Sequence, residues 1–180
     1  MKIWQLSFDV DNFDNFITEI GFAADEVQSF DGRSRVATWV PLKVKRMEPE
    51  KGLELGDAPG FIIPVFSKRA LNILSPIISE SSEALELITD AGEFYGVNVT
   101  AVLDVIDYSK SEYRTYSDGK RIMAFKKYAF LLNKELIKHN IFKISDEPNR
   151  RAFVSDRFKN MVEENGLTGF KFKLVWDSEE

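Results

Sequence analysis

Apolar residues along the chain recur mostly at every second position, a pattern typical of short β-strands. The alternation is clearest at 170–176, where Phe170, Phe172, Leu174 and Trp176 are predicted to share one face. A Ser-Asp-Gly turn at 117–119 predicts a hairpin between two of the strands. The predicted strands are Lys2–Phe8, Arg35–Met47, Phe61–Phe66, Phe94–Thr100, Tyr113–Tyr116, Arg121–Phe130, Ile141–Ile144 and Phe170–Trp176.

Capping residues predict three helices. Ser67, Asn133 and Ser155 each carry a side-chain oxygen that can accept a hydrogen bond from the first helical turn. The helices that they begin run from Ser67 to about Pro76, over Lys134–Lys138 and over Asp156–Glu164, and Ala101–Ile106 is a candidate for a further helical turn. Strands and helices do not alternate regularly. We therefore predict an α+β fold with mixed or mostly antiparallel short strands and about three modest helices.

The chain has 180 residues, a length typical of one domain. Residues 48–60 include three Gly and two Pro, which makes this segment the best candidate for a loop between two lobes. We predict a single domain over 1–180, with lobes 1–57 and 61–180 as its candidate subdivision.

Charge is unevenly distributed along the chain. The formal net charge is −5, while residues 1–31 hold seven Asp/Glu against Lys2 alone, and residues 80–118 hold nine against two basic residues. Direct binding to nucleic acid needs clustered Lys and Arg, so this distribution argues against it. It would suit a basic protein partner, although acidic proteins also gain solubility in this way.

Few side chains could support catalysis or hold a metal. The sequence has no Cys and a single His, and it lacks the usual nucleotide-binding, hydrolase and zinc motifs. We predict neither a metal nor a cofactor. His139 is expected to bond the last carbonyls of a helix. Asp104 and Asp107 are three residues apart and would share a face if they lay on a helix, which leaves a carboxylate-based site as the alternative.

The apolar stretches are too short to cross a membrane. The longest uncharged stretches, among them Ala58–Ser67 and Ala70–Ser79, have ten residues each, whereas a membrane-spanning helix needs about 20. The N-terminal sequence reaches Asp9 too early for the apolar region of a signal peptide. We expect a cytoplasmic protein without a membrane partner.

Five segments of the chain keep a distinctive order and spacing. They are PVFSKRALNIL (64–74), YGVNVTAVLDVIDYSKSEY (95–113), Asp118-Gly119 before a strand that ends KYAF (127–130), IFKI (141–144) and FVSDRFKNMVEENGLTGFKFKLVW (153–176). The ordered set resembles a family of bacterial immunity proteins, first described as a domain of unknown function and later named for a Myxococcus member. The first strand and the Trp39–Pro41 segment are similar more loosely.

The resemblance implies an immunity protein of a polymorphic toxin system, active in interbacterial competition. Such a protein is made beside a toxin and protects its producer in the cytoplasm by covering that toxin, without catalysis. The matching positions are expected to be caps, turns and core anchors, in a scaffold whose specificity lies in its loops. They are Ser67, Asn98, Asp104, Asp107, Ser111, Gly119, Phe142, Ser155 and Gly169.

The acidic segments 9–14, 25–31 and 80–93 are then the candidate toxin-binding loops, and a toxin with a basic active site would fit them. Aromatic residues beside acidic turns could serve as anchors. The candidate contact residues are Phe8, Asp9, Asp11, Phe13, Asp14, Glu80, Glu83, Glu86, Tyr108 and Tyr116. The alternative function is a small carboxylate-based enzyme or ligand-binding domain, and self-association is left open.

Overall fold

A computed structural model describes residues 1–18 and 30–179, which contain twelve strands and three α-helices. The strands are β1 (Lys2–Phe8), β2 (Phe16–Thr18), β3 (Leu42–Arg46), β4 (Val65–Ser67), β5 (Ser82–Ile88), β6 (Phe94–Val99), β7 (Val102–Leu103), β8 (Glu112–Thr115), β9 (Ile122–Lys127), β10 (Ile141–Ile144), β11 (Phe153–Ser155) and β12 (Phe170–Asp177). The helices are α1 (Lys68–Ile78), α2 (Lys134–Lys138) and α3 (Asp156–Glu164), and a short 3₁₀ turn spans Pro49–Lys51.

The strands form two five-stranded sheets and one hairpin. The first sheet has the order β12-β1-β11-β10-β7, and only its β10–β7 pair is parallel. The second sheet has the order β2-β3-β5-β6-β4, and only its β3–β5 pair is parallel. β8 and β9 pair with each other as an antiparallel hairpin. The predicted α+β class, with mixed and mostly antiparallel strands, is confirmed.

One apolar core joins the two large sheets through two helices. α1 contributes Leu74 and α3 contributes Phe158, which meet Val154 of the first sheet and Phe66 and Val97 of the second. The first sheet buries its other face against the segment that follows the hairpin, where Phe142 and Phe153 contact Phe130. A third core covers the second sheet and includes Phe16, Val44, Leu85 and Phe94.

The three predicted caps are present. The side chains of Ser67, Asn133 and Ser155 accept hydrogen bonds from the third residue of α1, α2 and α3. α1 continues two residues beyond Pro76. This proline has no N–H for the carbonyl of Asn72, and the Ser75 hydroxyl donates to that carbonyl instead, at 3.3 Å.

Three sequence predictions are corrected. The segment 101–106 is not helical, because Ala101, Leu103 and Val105 are buried with the period of a strand and β7 pairs with β10. The strand expected over Arg35–Met47 begins only at Leu42, after Pro41, and Val40 before it is 78% exposed. The strand expected over Phe61–Phe66 begins only after Pro64.

The single apolar face predicted for β12 is also interrupted. Trp4 of β1 pairs with Leu174 while Ile3 pairs with Trp176, so Val175 is an extra residue in the register. Leu174 is consequently 40% exposed. Trp176 packs against the core around Phe130 and Phe153 rather than the core that joins the two large sheets.

The division into lobes 1–57 and 61–180 stays a prediction. β1 lies between β12 and β11 in the first sheet, while β2 and β3 belong to the second, so residues 1–57 contribute strands to both sheets. Within the described ranges no helix is long and apolar enough to cross a membrane.

Candidate functional site

An open apolar groove of about 790 Å³ lies where β1 ends. It is bordered by Phe8, by the turn and strand at 10–18, by Met47 after β3, and by residues 60–62. Four aliphatic side chains on its walls are about half exposed: Val10 (52%), Ile17 (41%), Met47 (53%) and Ile62 (47%). Grouped exposed apolar side chains of this kind typically mark a contact surface.

The buried carboxylate of Asp14 holds the floor of the groove together. Asp14 is only 2% exposed and accepts hydrogen bonds from Arg46 Nε (2.8 Å) and from the backbone N–H groups of Asn15 (2.8 Å) and Glu48 (3.0 Å). Burial opposes its ionisation, but these donors outweigh burial and lower the pKa of Asp14. The Arg46 guanidinium also donates to the carbonyl of Leu53, so one ion pair links three segments.

The backbone of Gly60 lies closely against the side chain of Asn15, and both residues line the groove. The Asn15 side-chain oxygen accepts from the Gly60 N–H (3.1 Å), and the Gly60 carbonyl accepts from the Phe16 N–H (2.9 Å). A Cβ on Gly60 would lie 2.2 Å from that Asn15 oxygen and 2.8 Å from Val10 Cγ1. Only glycine therefore fits at this point.

The segment 56–60, which enters the groove at Gly60, is fixed to the body of the protein through Asp57. Its carboxylate accepts from the Ser67 hydroxyl (2.7 Å), from Arg69 (2.7 Å) and from the Thr168 N–H (3.0 Å). Gly169 has a φ of +83°, and a Cβ there would lie 2.7 Å from the Ala58 carbonyl oxygen. These contacts fasten the chain just before Gly60 to the rest of the protein.

The acidic residues Asp9 and Asp11 flank Val10, a residue that lines the groove. Asp9 and Asp11 both pair with Lys171, at 2.8 Å and 3.0 Å. The hydrogen bond from Lys171 lowers the pKa of Asp9. The side chain of Asp11 is 77% exposed, while Phe8 and Phe13 are half-buried.

In the acidic segment 80–93, Glu83 has hydrogen-bond partners within the protein. Glu83 accepts from the Arg35 backbone N–H (2.9 Å) and from the Asn98 amide (3.0 Å). Burial opposes its ionisation, but these bonds lower the pKa of Glu83. Glu80 and Glu86 are exposed. Asp14 is buried, and Glu83 is partly buried with its carboxylate bonded within the protein, so these two acids are less available to a partner than their sequence context predicts. In the acidic segment 25–31, residues 25–29 lie outside the described residues.

Tyr108 and Tyr116 lie beside the hairpin and not at the groove. Burial and the hydrogen bond from its hydroxyl to Asp146 (3.0 Å) raise the pKa of Tyr108 to about 12. The guanidinium of Arg121 lies 5.1 Å from the centre of the Tyr116 ring. Both tyrosines are about 40% exposed.

The two carboxylates of the alternative enzyme function are not arranged as that function requires. Asp104 and Asp107 do not share a helix face, because Asp104 follows β7 and Asp107 begins a turn. Hydrogen bonds from Ser109 lower the pKa of Asp107, whereas a general acid needs a raised value. Among the residues that the structure describes, no cluster of three acidic or His side chains could hold a metal ion.

The other positions that carry the family resemblance have local structural contacts. Asn98 donates to the Arg33 carbonyl, and Ser111 Oγ accepts from the Ala129 N–H at 2.9 Å. Gly119 has a φ of +66° in the hairpin turn, and Phe142 is fully buried.

The prediction for His139 is wrong. Its ring is buried, and Nδ1 lies 2.7 Å from the hydroxyl of Ser81, so it bonds another loop instead of the carbonyls of its own helix. Burial lowers the pKa of His139, with a further contribution from Lys138.

Sequence reasoning missed the aliphatic residues of the groove. Ile62 and Ile63 are adjacent, and neighbouring residues of an extended segment point to opposite sides, so one of them could have been predicted to face outward. Ile63 is buried and Ile62 is the exposed one. No sequence pattern marks Val10 or Met47 as outward-facing, because they are distant in the chain and only the folded structure places both at the groove.

Comparison with protein families places the chain in a class of protective proteins. A family model described as an immunity protein family (Imm11) matches residues 88–177, which is half of the chain. The chain belongs to this Imm11 immunity protein family, and the resemblance identified in the sequence is confirmed. No curated protein matches the chain. The matched segment runs from the end of β5 to the end of β12, so every residue that lines the groove lies outside it.

Proposed function

We propose that this chain is the immunity protein of a polymorphic toxin system and that it binds its toxin through the groove at 8–62. The observation that carries the proposal is the set of four half-exposed aliphatic side chains that line the groove beside the hydrogen-bonded network of Asp14 and Asn15. Family membership supports a role in toxin immunity. We place its action in the cytoplasm of the producing cell.

The groove has the features of a protein-binding surface. Fully burying an aliphatic side chain contributes about 1.5–3 kcal/mol. Val10, Ile17, Met47 and Ile62 are about half exposed, so a partner that covers them would gain roughly 1 kcal/mol from each. The network around Asp14 and Asn15 holds the groove in one shape, and a preorganised surface loses little entropy on binding.

Charge beside the groove favours a partner with basic residues. Glu50 and Glu54 are exposed on the loop that follows Met47, and Asp11 is exposed beside Val10 although it shares Lys171 with Asp9. Complementary charge speeds association and selects among partners. A toxin whose active site binds nucleic acid or a nucleotide would present such a basic surface, and covering it would block the active site.

Inhibition by occlusion needs no reacting group in the immunity protein. Asp104 and Asp107, the residues of the alternative enzyme function, are held in an extended segment and a turn. We therefore propose a protein without catalytic activity, whose partner is inhibited in proportion to the complex formed.

A growth assay tests the proposal. The product of the gene immediately upstream is expressed in a sensitive bacterium with wild-type protein, with Ile62→Asp, or with Ile137→Asp. Ile137 is also exposed (61%), lies on α2 and does not line the groove, so it provides a matched control. We expect rescue by the wild type and the control but not by Ile62→Asp. Full rescue by folded Ile62→Asp would overturn the assignment of the groove.

A further inference from the structure

The β8–β9 hairpin is a basic surface on an acidic protein. Residues 108–127 hold six Lys/Arg and two Asp/Glu, for a net charge of +4. The whole chain has a net charge of −5, so the residues outside this segment have a net charge of −9. We propose that this hairpin binds an acidic, extended segment of a partner protein along the free edge of β8. This contact goes beyond the groove and does not depend on it.

Most of the hairpin cations are not neutralised. Arg121 pairs with Asp118 at 2.7 Å, and Lys110 lies 3.9 Å from Asp107. In the described part of the chain, the other four form no ion pair: they are Arg114, Lys120, Lys126 and Lys127. Their charge remains available to an acidic partner.

The edge of β8 can accept another strand. Within the described ranges β8 pairs only with β9, and the hairpin joins neither large sheet. It is fixed to the body of the protein through β9 and the residue after it: the rings of Phe125 and Tyr128 stack at 4.8 Å, and Arg150 donates to the Met123 carbonyl at 3.1 Å. Two-stranded sheets gain stability from a third strand, and exposed edges bind extended peptides in this way.

The tyrosines favour a protein partner over a nucleic acid. Tyr113 contacts the ring of Tyr108 edge-on at 5.9 Å and the ring of Phe125 at 5.8 Å, so its ring is held among neighbours. The hydroxyl of Tyr108 donates to Asp146 at 3.0 Å, which fixes the second ring of the pair. Exposed tyrosines fixed in this way are typical anchors of protein interfaces.

The hairpin and the groove lie toward opposite ends of β1. A small cleft beside the hairpin is lined by Lys127, Val175 and Trp176, and Trp176 pairs with Ile3. The groove begins at Phe8. The five residue steps from Ile3 to Phe8 span about 17 Å of strand. A second copy of the chain is a poor occupant, because pairing two hairpins through this edge would bring two +4 surfaces together.

Binding of a defined peptide tests the proposal. The probe is a fluorescent peptide of about twelve residues that alternates Glu and Val, measured by anisotropy at about 50 mM and 500 mM NaCl. Arg114→Glu with Lys126→Glu is compared with Lys134→Glu with Lys173→Glu, a control pair with the same change in charge at exposed positions outside the hairpin. Amide hydrogen exchange of β8 is followed in the same complex.

We expect the peptide to bind the wild type at low salt and to protect amides of β8. The hairpin pair should weaken binding at least about tenfold, and the control pair less than about twofold. If hairpin reversal unfolds the protein, Arg114→Gln with Lys126→Gln replaces it, with an expected loss of about threefold.

Absence of binding, equal weakening by both pairs, or binding without β8 protection would overturn the proposal. A thymidine oligonucleotide that binds more tightly than the peptide and is lost in the same variant would reassign the surface to nucleic acid. Dimers in sedimentation that depend on Arg114 and Lys126 would reassign it to a second copy.

Discussion

Replacing Asp14 by Asn should destabilise the protein strongly although the residue belongs to an acidic turn. The change removes the charge that pairs with Arg46 at 2.8 Å, while the amide keeps one oxygen for the N–H groups of Asn15 and Glu48. Removing one partner of a buried ion pair costs about 3–5 kcal/mol. The side chain of Arg46 is 32% exposed, so water recovers part of this cost and we expect about 2–3 kcal/mol.

Thermal unfolding is the assay for this prediction. For a chain of 150–250 residues, about 1 kcal/mol lowers the melting temperature by roughly 2–4 °C, so Asp14→Asn should lower it by roughly 5–10 °C. Asp11→Asn is the matched control, because its carboxylate is 77% exposed in the same turn. The control should stay within about 0.5 kcal/mol of the wild type.

The pH dependence gives an independent check. The pKa of Asp14 is lowered in the folded state, so its contribution is present above the unfolded value of about 3.9 and is lost as the pH falls through the folded value. The variant should therefore lose less stability than the wild type on acidification below about pH 4. Equal melting temperatures for Asp14→Asn and Asp11→Asn would refute the role given to this carboxylate.

Two further predictions concern His139 and Gly60. Burial lowers the pKa of His139, whose charged neighbours are Lys138, Glu135 and Glu80. The stability that neutral His139 contributes should therefore be complete above the unfolded pKa of about 6.5 and decrease as the pH falls below that value. His139→Gln should flatten the decline in urea-unfolding free energy between about pH 7 and pH 5, and an unchanged slope would contradict this. Gly60→Ala would place a Cβ 2.2 Å from Asn15 Oδ1 and should lower the free energy of unfolding, measured in urea, by about 1–3 kcal/mol. Ala58→Gly, at a buried site two residues away, removes atoms without such a clash. A Gly60→Ala variant as stable as the wild type would contradict the fit described for Gly60.

Features determined by neighbouring residues were predictable from the sequence. A capping side chain acts on an amide three residues away, so Ser67, Asn133 and Ser155 marked their helices correctly. The Asp118-Gly119 turn located the hairpin for the same reason. The strand β7 was missed because its two residues are specified by pairing with β10, about forty positions further along the chain.

The candidate site was only partly predictable because it is assembled from distant segments. Phe8 and the acidic turn were identified, but Met47 and Ile62 join them only through the second sheet and the Asp14 network. Counting charges along the chain also missed that Asp14 is buried and that Glu83 is partly buried and bonded within the protein. The segment 80–118 has a net charge of −7, yet part of it folds into the basic hairpin.

The central claim is that the groove binds the toxin, and calorimetric titration with the purified product of the upstream gene tests it most directly. We expect a stoichiometric complex with the wild type and with Ile137→Asp, and binding weakened at least about tenfold by Ile62→Asp and by Met47→Asp, because each places a charge in an apolar contact. Wild-type affinity in both groove variants, with their folds intact, would contradict the account.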